Sequence, residues 1–428
     1  MRERRRGRRA SRPSSTALAT LLAVVAALLF GFVVPRPARA IDRLEADETI
    51  SQLLVTAPPG EAELEDTAER RRWAILPQIG FGPDTGVLGG LKFTNRNLLG
   101  SGATLDVDGI YAIEGQQALE IQFGSPFLLE NRMLLLARTY YAYDPQQEFF
   151  GLGNNDQGPE PASTNGIQDI GGSITAGWRL YERLSLNAQM TIRNVVITDG
   201  RRKGDIPFTR ERFPDLPGID GGTVVPFGLS LVWNNRDDLL RPTRGWRAIL
   251  KVLHANPSLG SDFEYSQFIV DLGYLRTFFD GNLTFAARFN GEYIQSPDEQ
   301  TPFWELTELG GDDTLRGFFP NRFLGTSRVL VNTEIRFPIV DFDFFDLWRV
   351  EIDGVLFGDG GRVFISDEEL RDEFSIDDDL LERIIDDFQY DYGGGFRIKL
   401  ADALVARIDV GFSDEETGLV YLEFGQTF

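Results

Sequence analysis

Apolar and polar residues alternate along much of the chain after residue 72. In residues 184–194 (LSLNAQMTIRN) every second residue is apolar, and the residues between them are polar. Residues 282–293 and 403–412 show a similar period. Because successive side chains of a β-strand point to opposite faces of its sheet, a period of two predicts strands. No convincing helical period follows residue 72, so the sequence predicts an all-β fold.

Sixteen segments with this pattern can be counted, and many are too long for a soluble β-sandwich. Strands of soluble proteins are commonly about 5–6 residues long, whereas a tilted transmembrane strand needs about 9–11. A sandwich would also alternate, but its apolar faces would pack against each other and its polar faces would meet water. The segments are residues 73–81, 86–94, 103–112, 117–124, 133–143, 170–181, 184–196, 223–233, 246–255, 263–278, 282–293, 328–337, 349–361, 389–400, 403–412 and 418–428.

Aromatic residues cluster near the ends of these segments. They include Trp178, Tyr181, Tyr274, Phe278 and Tyr293. Aromatic girdles at both interfaces are typical of outer-membrane barrels. This placement therefore favours a membrane barrel over a soluble sheet protein.

The connections between the segments alternate in length. Short turns, such as residues 182–183 and 401–402, alternate with long loops at 144–169, 197–222, 294–327 and 362–388. Outer-membrane barrels have short periplasmic turns and long external loops, and a sheet in lipid must close because an open edge leaves backbone groups unpaired. The sequence predicts a transmembrane antiparallel β-barrel over residues 73–428, with sixteen strands and both termini in the periplasm.

The residues before the barrel have the order of a secretory signal peptide. Arginine-rich residues 1–12 precede the apolar residues 17–34, and Ala38-Arg39-Ala40 is a small-x-small cleavage site. This order predicts a cleaved signal peptide over residues 1–40, the alternative being a retained membrane anchor. Residues 41–72 are then an acidic periplasmic tail, expected to be disordered apart from at most one amphipathic turn.

Charge and composition exclude several classes of function. The chain has a formal net charge of −22, which makes nucleic acid an improbable partner. It has no Cys, so it has neither disulfides nor thiolate chemistry. Its single histidine, His254, shares a face with Trp246 and Leu250, as an interfacial residue would. A multi-histidine metal site is impossible, and we expect neither a catalytic site nor a cofactor.

The acidic residues 367–387 leave two interpretations open. They could hold Ca²⁺ or Mg²⁺ ions that bridge lipopolysaccharide phosphates, but they lack the order of ligands and glycine found in a calcium loop. A solvated acidic external loop fits the composition better.

Five motifs, in order along the chain, resemble those of the BamA/TamA-type outer-membrane assembly superfamily, also called the bacterial surface antigen family. They are FFGLGNN at 149–155, WNNRDDLLRPTRGW at 233–246, GGDDTLRGFFPNRFLGTSRVLVNTEIRFPI at 310–339, FGDGGRVF at 357–364 and YLEFGQTF at 421–428. The third resembles the family's sixth external loop, with its arginine-glycine-aromatic core. The resemblance covers residues 73–428 and is densest in the last third.

The resemblance implies that the loop arginine, Arg316, folds into the barrel and pairs with Glu334 and Asp359. Gly317 would give the chain room to turn past the wall, and Phe318 would lodge in an apolar pocket. The loop would then plug the lumen, whereas the alternative is a solvated surface arginine. We expect Arg322, further along the loop, to contribute little.

The alternation gives independent support for this pairing. It places Glu334 on the lumen side of residues 328–337, opposite Val331 and Ile335. It also places Glu351, Asp353 and Asp359 on the lumen side of residues 349–361, with Val350, Ile352 and Leu356 facing lipid.

The last strand carries the second predicted site. Its aromatic ending resembles the closing strand of the family, so Phe424, Gly425 and Phe428 are predicted to form a signal for the host's assembly machinery. By parity, Val420, Leu422, Phe424 and Phe428 face lipid, and Tyr421 and Glu423 face the lumen.

The resemblance implies that the protein helps insert or export proteins or lipids through a weak seam between residues 73–81 and 418–428. A passive channel or a structural barrel without assembly activity is the alternative. Outer-membrane lipid and lipopolysaccharide are implied partners. Residues 41–72 are too short for one of the family's periplasmic POTRA modules, so this chain resembles a short, POTRA-less member. A separate periplasmic protein that binds clients is therefore a further expected partner.

Overall fold

The computed structural model describes residues 46–47, 49–50 and 73–424, apart from 130, 155–157, 159, 239–240, 298–299, 345–347, 374–386 and 401–403. Within these residues, no helix has the length and apolar character needed to cross a membrane.

Nearly all regular structure is β-strand. The first strands are β1 Trp73–Gly82, β2 Gly86–Leu98, β3 Ala103–Ala112, β4 Gln117–Gly124, β5 Met133–Phe149, β6 Ser163–Tyr181, β7 Leu184–Thr198, β8 Gly222–Val224, β9 Pro226–Asn234 and β10 Gly245–Ala255. They are followed by β11 Tyr265–Phe278, β12 Leu283–Gln295, β13 Thr307–Leu309, β14 Phe323–Gly325, β15 Ser327–Phe344, β16 Trp348–Phe364, β17 Gln389–Leu400, β18 Leu404–Phe412 and β19 Leu419–Phe424.

The helices are short and lie in the connections. Among the described residues of the connections, the α-helices are α1 Thr209–Arg212 and α2 Asp367–Glu373. Single 3₁₀ turns span Pro257–Leu259, Phe279–Gly281 and Phe303–Glu305.

The long strands form one closed antiparallel barrel, as predicted. Strands β8 and β9 occupy a single position beside β7, interrupted at Val225, so the barrel has sixteen strands. The short hairpin of β13 and β14 lies outside this sheet. Strand β1 closes the barrel by pairing with β19, and among the described residues Phe81 and Leu422 are the one pair in register between them.

The two faces of the wall differ in polarity. On β10, Leu250 and Val252 are exposed on the outer face, whereas Lys251 is buried on the lumen face. On β15, Val331 and Ile335 are exposed while Asn332 and Glu334 are fully buried. The barrel is thus apolar outside and polar inside, which is the arrangement that lipid requires.

The burial of two residues on the outer face of β16 differs from the prediction. Leu356 is exposed as expected, but Val350 and Ile352 on the same face are buried. They pack with Ile398 and Ala406 in one apolar cluster. Parity predicts which way a side chain points, but not which neighbours cover it.

Several strands are longer than predicted. Residues 144–169 were expected to form a loop, but β5 and β6 continue pairing up to Phe149 and Ser163. A register shift between Asp144 and Gln147 breaks the alternation there, so the sequence pattern stops before the hairpin does. Strand β15 likewise extends past residue 337 to Phe344, with a shift between Pro338 and Val340.

Four residues of the expected disordered tail are ordered. Residues 46, 47, 49 and 50 are helical, and Asp47 and Ile50 are buried. They correspond to the one amphipathic turn that the prediction allowed in the tail. The signal peptide at 1–40 and the remainder of the tail lie outside the described residues.

A closed barrel of this size should resist unfolding by detergent at room temperature. We expect the purified protein to migrate faster on a detergent gel when unboiled than when boiled, because the closed sheet stays compact until it is heated. Comparison of boiled and unboiled samples from outer-membrane fractions checks this. Equal mobility, with recovery as a soluble protein, would contradict the barrel.

Candidate functional site

A long loop, residues 296–326, folds into the barrel lumen. Its 3₁₀ turn places Phe303 and Trp304 in an apolar cluster with Ile167, Val195 and other wall and loop residues. The carboxylate of Glu305 pairs with Arg193 of β7 and accepts a hydrogen bond from Tyr265 Oη at 2.9 Å. This half of the loop is therefore anchored through both apolar packing and a buried ion pair.

Arg316 lies at the centre of the second half of the loop. Its Nε and Nη2 donate to the two oxygens of Asp359 at 2.7 and 2.8 Å, and its Nη1 donates to Glu334 at 2.6 Å. The guanidinium carbon lies 3.6 Å from the ring centroid of Phe357. A planar guanidinium suits this arrangement because its forked donors match one carboxylate while a third donor reaches another.

All three charged groups are removed from solvent. The side chains of Arg316 and Glu334 are 0% exposed, and that of Asp359 is likewise buried. Burial alone would lower the pKa of Arg316, but Asp359 and then Glu334 outweigh it and raise that pKa, so the loop arginine stays charged. Once buried, the charges stabilise each other, and loss of one would leave the others uncompensated.

The Arg316 set belongs to a wider ion network on the lumen wall. Glu334 also accepts from Arg336 at 2.7 Å and from Arg397 at 2.9 Å. Arg397 in turn donates to Asp409 at 2.6 Å. Arg407 connects the wall to the loop through Asp312, at 2.9 Å. The loop is therefore held by strands β15 to β18 together.

Gly317 and Phe318 occupy tightly packed positions, and the packing limits which side chains fit there. A Cβ at Gly317 would come within 2.6 Å of the Asp391 side chain and 2.8 Å of the Phe412 backbone, so only glycine fits without displacement. Phe318 is fully buried and makes an edge-on contact with Phe323, with ring centroids 5.2 Å apart. The structure thus brings together all five residues of the predicted lumen motif.

Arg322 contradicts the expectation that it contributes little. It is 1% exposed, and its Nε and Nη2 donate to Glu415 at 2.7 and 2.6 Å. Its guanidinium also lies 4.7 Å from the ring centroid of Phe323 and 5.3 Å from that of Phe150. A second arginine six residues after the first, within the same aromatic-rich motif, was the available signal.

The side chain of Arg241 reaches across the short-turn end of the barrel. It lies in the turn between β9 and β10, yet it donates two hydrogen bonds to Asp353 of β16, at 2.8 and 2.6 Å, and also pairs with Glu351. The alternation predicted that both acids face the lumen, but it did not predict that Arg241 would be their partner.

Within the same turn, Asp237 accepts hydrogen bonds from the backbone of Thr243 and Arg244 at 2.9 and 3.1 Å. Partial burial would raise the pKa of Asp237, but these hydrogen bonds outweigh it and lower the pKa, so Asp237 remains ionised.

The helical residues 46, 47, 49 and 50 lie inside the barrel. Asp47 accepts from Lys251 at 2.7 Å and from Asn187 at 2.8 Å, and it also bonds Ser230. Ile50 packs against Leu134 and Leu136 on the opposite side. A cavity of about 70 Å³ with a mixed polar and apolar lining lies beside Ala46 and extends to Glu305 of the loop, so the lumen retains room for only a few water molecules there.

The closing strand is described only in part. Val420 is exposed, while Tyr421 and Glu423 are buried, in agreement with the predicted parity. Tyr421 Oη donates to the carbonyl oxygen of Phe318 at 3.0 Å, which joins the last strand to the loop motif. The side chain of Phe424, and Gly425 and Phe428 entirely, lie outside the described residues.

Other candidate residues show no site. His254 is exposed on the outer face, and its Nδ1 lies 3.0 Å from Ser266 Oγ. Among the described residues, no group of three or more His, Cys, Asp or Glu side chains could hold a metal ion. Residues 374–386 of the acidic loop lie outside the described part, and at its edges Arg362 pairs with Glu369 and Asp387.

Comparison with known proteins identifies the architecture. The sequence pattern of the Omp85 superfamily domain matches residues 97–428. BamA from Haemophilus ducreyi, in a form lacking POTRA domains 1–3, superimposes with a TM-score of 0.59 at 16% identity, over 83% of this chain and 70% of that one. CdiB from Escherichia coli superimposes with a TM-score of 0.56 at 11% identity, over 82% of this chain and 63% of that one. CdiB from Acinetobacter baumannii gives 0.53 at 11% identity, over 83% and 59%. At these identities the superpositions show a shared fold.

Removal of Arg316 should release the loop. We expect Arg316→Ala to destabilise the folded protein by about 3–5 kcal/mol, because Glu334 and Asp359 would remain buried without their partner. The loop should become sensitive to protease, and Arg316→Lys should restore protection only in part, since a point charge cannot fork between two carboxylates. Limited proteolysis and denaturant unfolding of the purified barrel measure both effects.

The matched control is Arg202→Ala, which removes a half-exposed loop arginine paired with the exposed Glu211. We expect little change there, because exposed ion pairs contribute about 0–1 kcal/mol. A double-mutant cycle of Arg316→Ala with Asp359→Ala then isolates the coupling. Additive effects of the two substitutions, together with intact protease protection in Arg316→Ala, would contradict the buried set.

Proposed function

Because the chain belongs to the Omp85 superfamily, we propose that it assists the insertion or export of proteins or lipids at the outer membrane. The family match and the fold shared with BamA support this proposal. We assign no catalytic residue, cofactor or metal to the chain. We propose that the short turns and both termini face the periplasm and that the long loops face outward, because the alternation of loop lengths favours this orientation.

The uneven pairing of β1 is the observation that carries this proposal. Every residue of β1 from Trp73 to Gly82 pairs with β2. With β19, in contrast, one pair joins the described residues, Phe81 opposite Leu422. Each intramolecular hydrogen bond contributes about 0.5–1.5 kcal/mol, so the described part of the β1–β19 contact holds the wall less strongly than a full ladder does. An opening at this seam would offer free strand edges and lipid access to a client.

Because the lumen is filled, we expect a client to move along the barrel wall at the seam and not through the lumen. The loop motif, the turn carrying Arg241 and the helical residues 46, 47, 49 and 50 all occupy the interior or its mouths. Sixteen strands would otherwise enclose enough space for an aqueous channel. A passive channel, the alternative function, would require these elements to leave the lumen together.

The proposed partners follow from the two ends of the barrel. Outer-membrane lipid and lipopolysaccharide surround the wall and the loops. A separate periplasmic protein is proposed to deliver clients to the short-turn end, near the seam.

Locking the seam should stop assembly. The chain has no native cysteine, so Phe81→Cys with Leu422→Cys introduces a single possible disulfide between directly paired positions. We expect the oxidised protein, in liposomes, to lose its ability to speed the insertion of an unfolded outer-membrane barrel, and reductant to restore it. Insertion is measured as the folded fraction of the client over time.

The control pairs the same position with the neighbouring strand: Phe81→Cys with Val87→Cys, opposite each other in the β1–β2 hairpin. This disulfide should leave insertion unchanged, because it does not cross the seam. Equal activity of both oxidised variants and the cysteine-free protein would rule out passage through the β1–β19 seam.

The filled lumen should conduct poorly. In planar bilayers we expect the native protein to give small, infrequent steps, and Asp47→Ala to raise the conductance, because Lys251 would lose the carboxylate that holds the helical residues 46, 47, 49 and 50 in place. The control Asp220→Ala removes a largely exposed carboxylate outside the lumen and should change nothing. Large, steady steps from the native protein would instead favour the passive channel.

A further inference from the structure

Two arginines lie opposite each other at the short-turn end of strands β10 and β11. Trp246 pairs with Tyr274, and Gly245 pairs with Leu275. The next position along each strand is Arg244 on one side and Arg276 on the other. The hydrogen bond from Thr277 Oγ1 to the carbonyl oxygen of Thr243, at 2.8 Å, continues the same register.

Both arginines belong to the outer face of the wall. On β11, Leu272 and Phe278 are exposed on the face of Arg276, whereas Asp271 and Leu275 are buried on the other. On the β10 side, Arg244 continues the face of the exposed Trp246, and its side chain is 80% exposed. The two guanidinium groups therefore lie at the rim of the lipid-facing surface and not in the lumen.

The positive charge at this rim is incompletely balanced. Like charges directly opposite each other across two strands destabilise a sheet. Arg244 Nε lies 3.7 Å from Asp237, a carboxylate that already accepts hydrogen bonds from Thr243. Among the described residues, no carboxylate pairs with Arg276, whose guanidinium lies 5.4 Å from the ring centroid of Phe278. Two cations and one anion leave one positive charge.

The surface between the two arginines is concave. Asp237, Thr243, Tyr274 and Thr277 line an open depression together with both arginines, with about 530 Å³ of accessible space. Gly245 makes the tight turn possible: its φ is +123°, and a Cβ there would come within 2.7 Å of the backbone of Asn235 and Arg236. Glycine is therefore required at the position that follows Arg244.

Aromatic rings border the depression on the membrane side. The rings of Trp246 and Tyr274 lie 4.3 Å apart on the outer face, one position further into the wall than the arginines. Such rings lie at the headgroup level of a bilayer, so in the orientation proposed above the depression faces the phosphate layer of the inner leaflet. We propose that Arg244 and Arg276 bind the phosphate of a monoanionic phospholipid, whose single charge balances the site and whose glycerol backbone lies against Trp246 and Tyr274.

Native mass spectrometry of the full chain, titrated with phosphatidylglycerol, tests this site. The native protein should retain phosphatidylglycerol more tightly than phosphatidylethanolamine. Arg244→Gln with Arg276→Gln should weaken phosphatidylglycerol binding by about tenfold or more, since each basic residue near a membrane contributes about 1 kcal/mol. Arg276→Gln alone should weaken it in part, and it breaks no ion pair of the described chain. Unboiled gel mobility verifies that each variant is folded.

The matched control, Arg96→Gln with Arg202→Gln, removes the same charge from two exposed arginines elsewhere, each of which has its own carboxylate. It should leave lipid binding unchanged. Inorganic phosphate, added at the concentration of the lipid, should not displace phosphatidylglycerol, because it lacks the apolar part that contacts the rings. Equal retention by the native protein and the Arg244/Arg276 variant, or displacement by equimolar phosphate, would overturn the proposal.

Discussion

The interior of this barrel depends on the pairing of Arg316 with Asp359 and Glu334. A guanidinium and two carboxylates, all removed from water, are stable only as a complete set. The set fixes the loop against β15 and β16, and through Arg397 and Asp409 it reaches β17 and β18. These strands lead to β19, whose Tyr421 bonds the loop backbone at Phe318. The plug and the last strand of the barrel are therefore parts of one hydrogen-bonded unit.

This arrangement separates a rigid part of the wall from a weak one. From β15 to β18 the strands pair along long ladders, with one register shift between β15 and β16, and β15, β16 and β18 share buried ion pairs with the loop. Between β19 and β1 the described residues provide one pair. A force that acts on the barrel wall should therefore separate β1 from β19 before it displaces the loop. If the protein acts on clients, its lumen can stay closed while its side opens.

The sequence predicts the regular features well, because they repeat. The period of two in the sequence assigns Glu334 and Asp359 to the lumen and Val331 to the outer face, and this requires no knowledge of the tertiary structure. Contacts made by turns and loops have no such period. Three hydrogen-bonded ion pairs illustrate this. Arg322 pairs with Glu415, 93 residues away in the sequence, and Arg241 pairs with Asp353, 112 residues away. Asp47 pairs with Lys251, 204 residues away. These partners become neighbours only when the barrel closes, so local pattern could not identify them.

Two pairs of spin labels would test the central claim that the seam opens while the loop remains fixed. One pair, at positions 81 and 422, spans the seam, and the other, at positions 321 and 414, spans the contact between the loop motif and the β18–β19 connection. We predict that addition of an unfolded barrel client to the reconstituted protein lengthens the distance at the seam and leaves the loop distance unchanged. A lengthened loop distance with an unchanged seam would contradict the account.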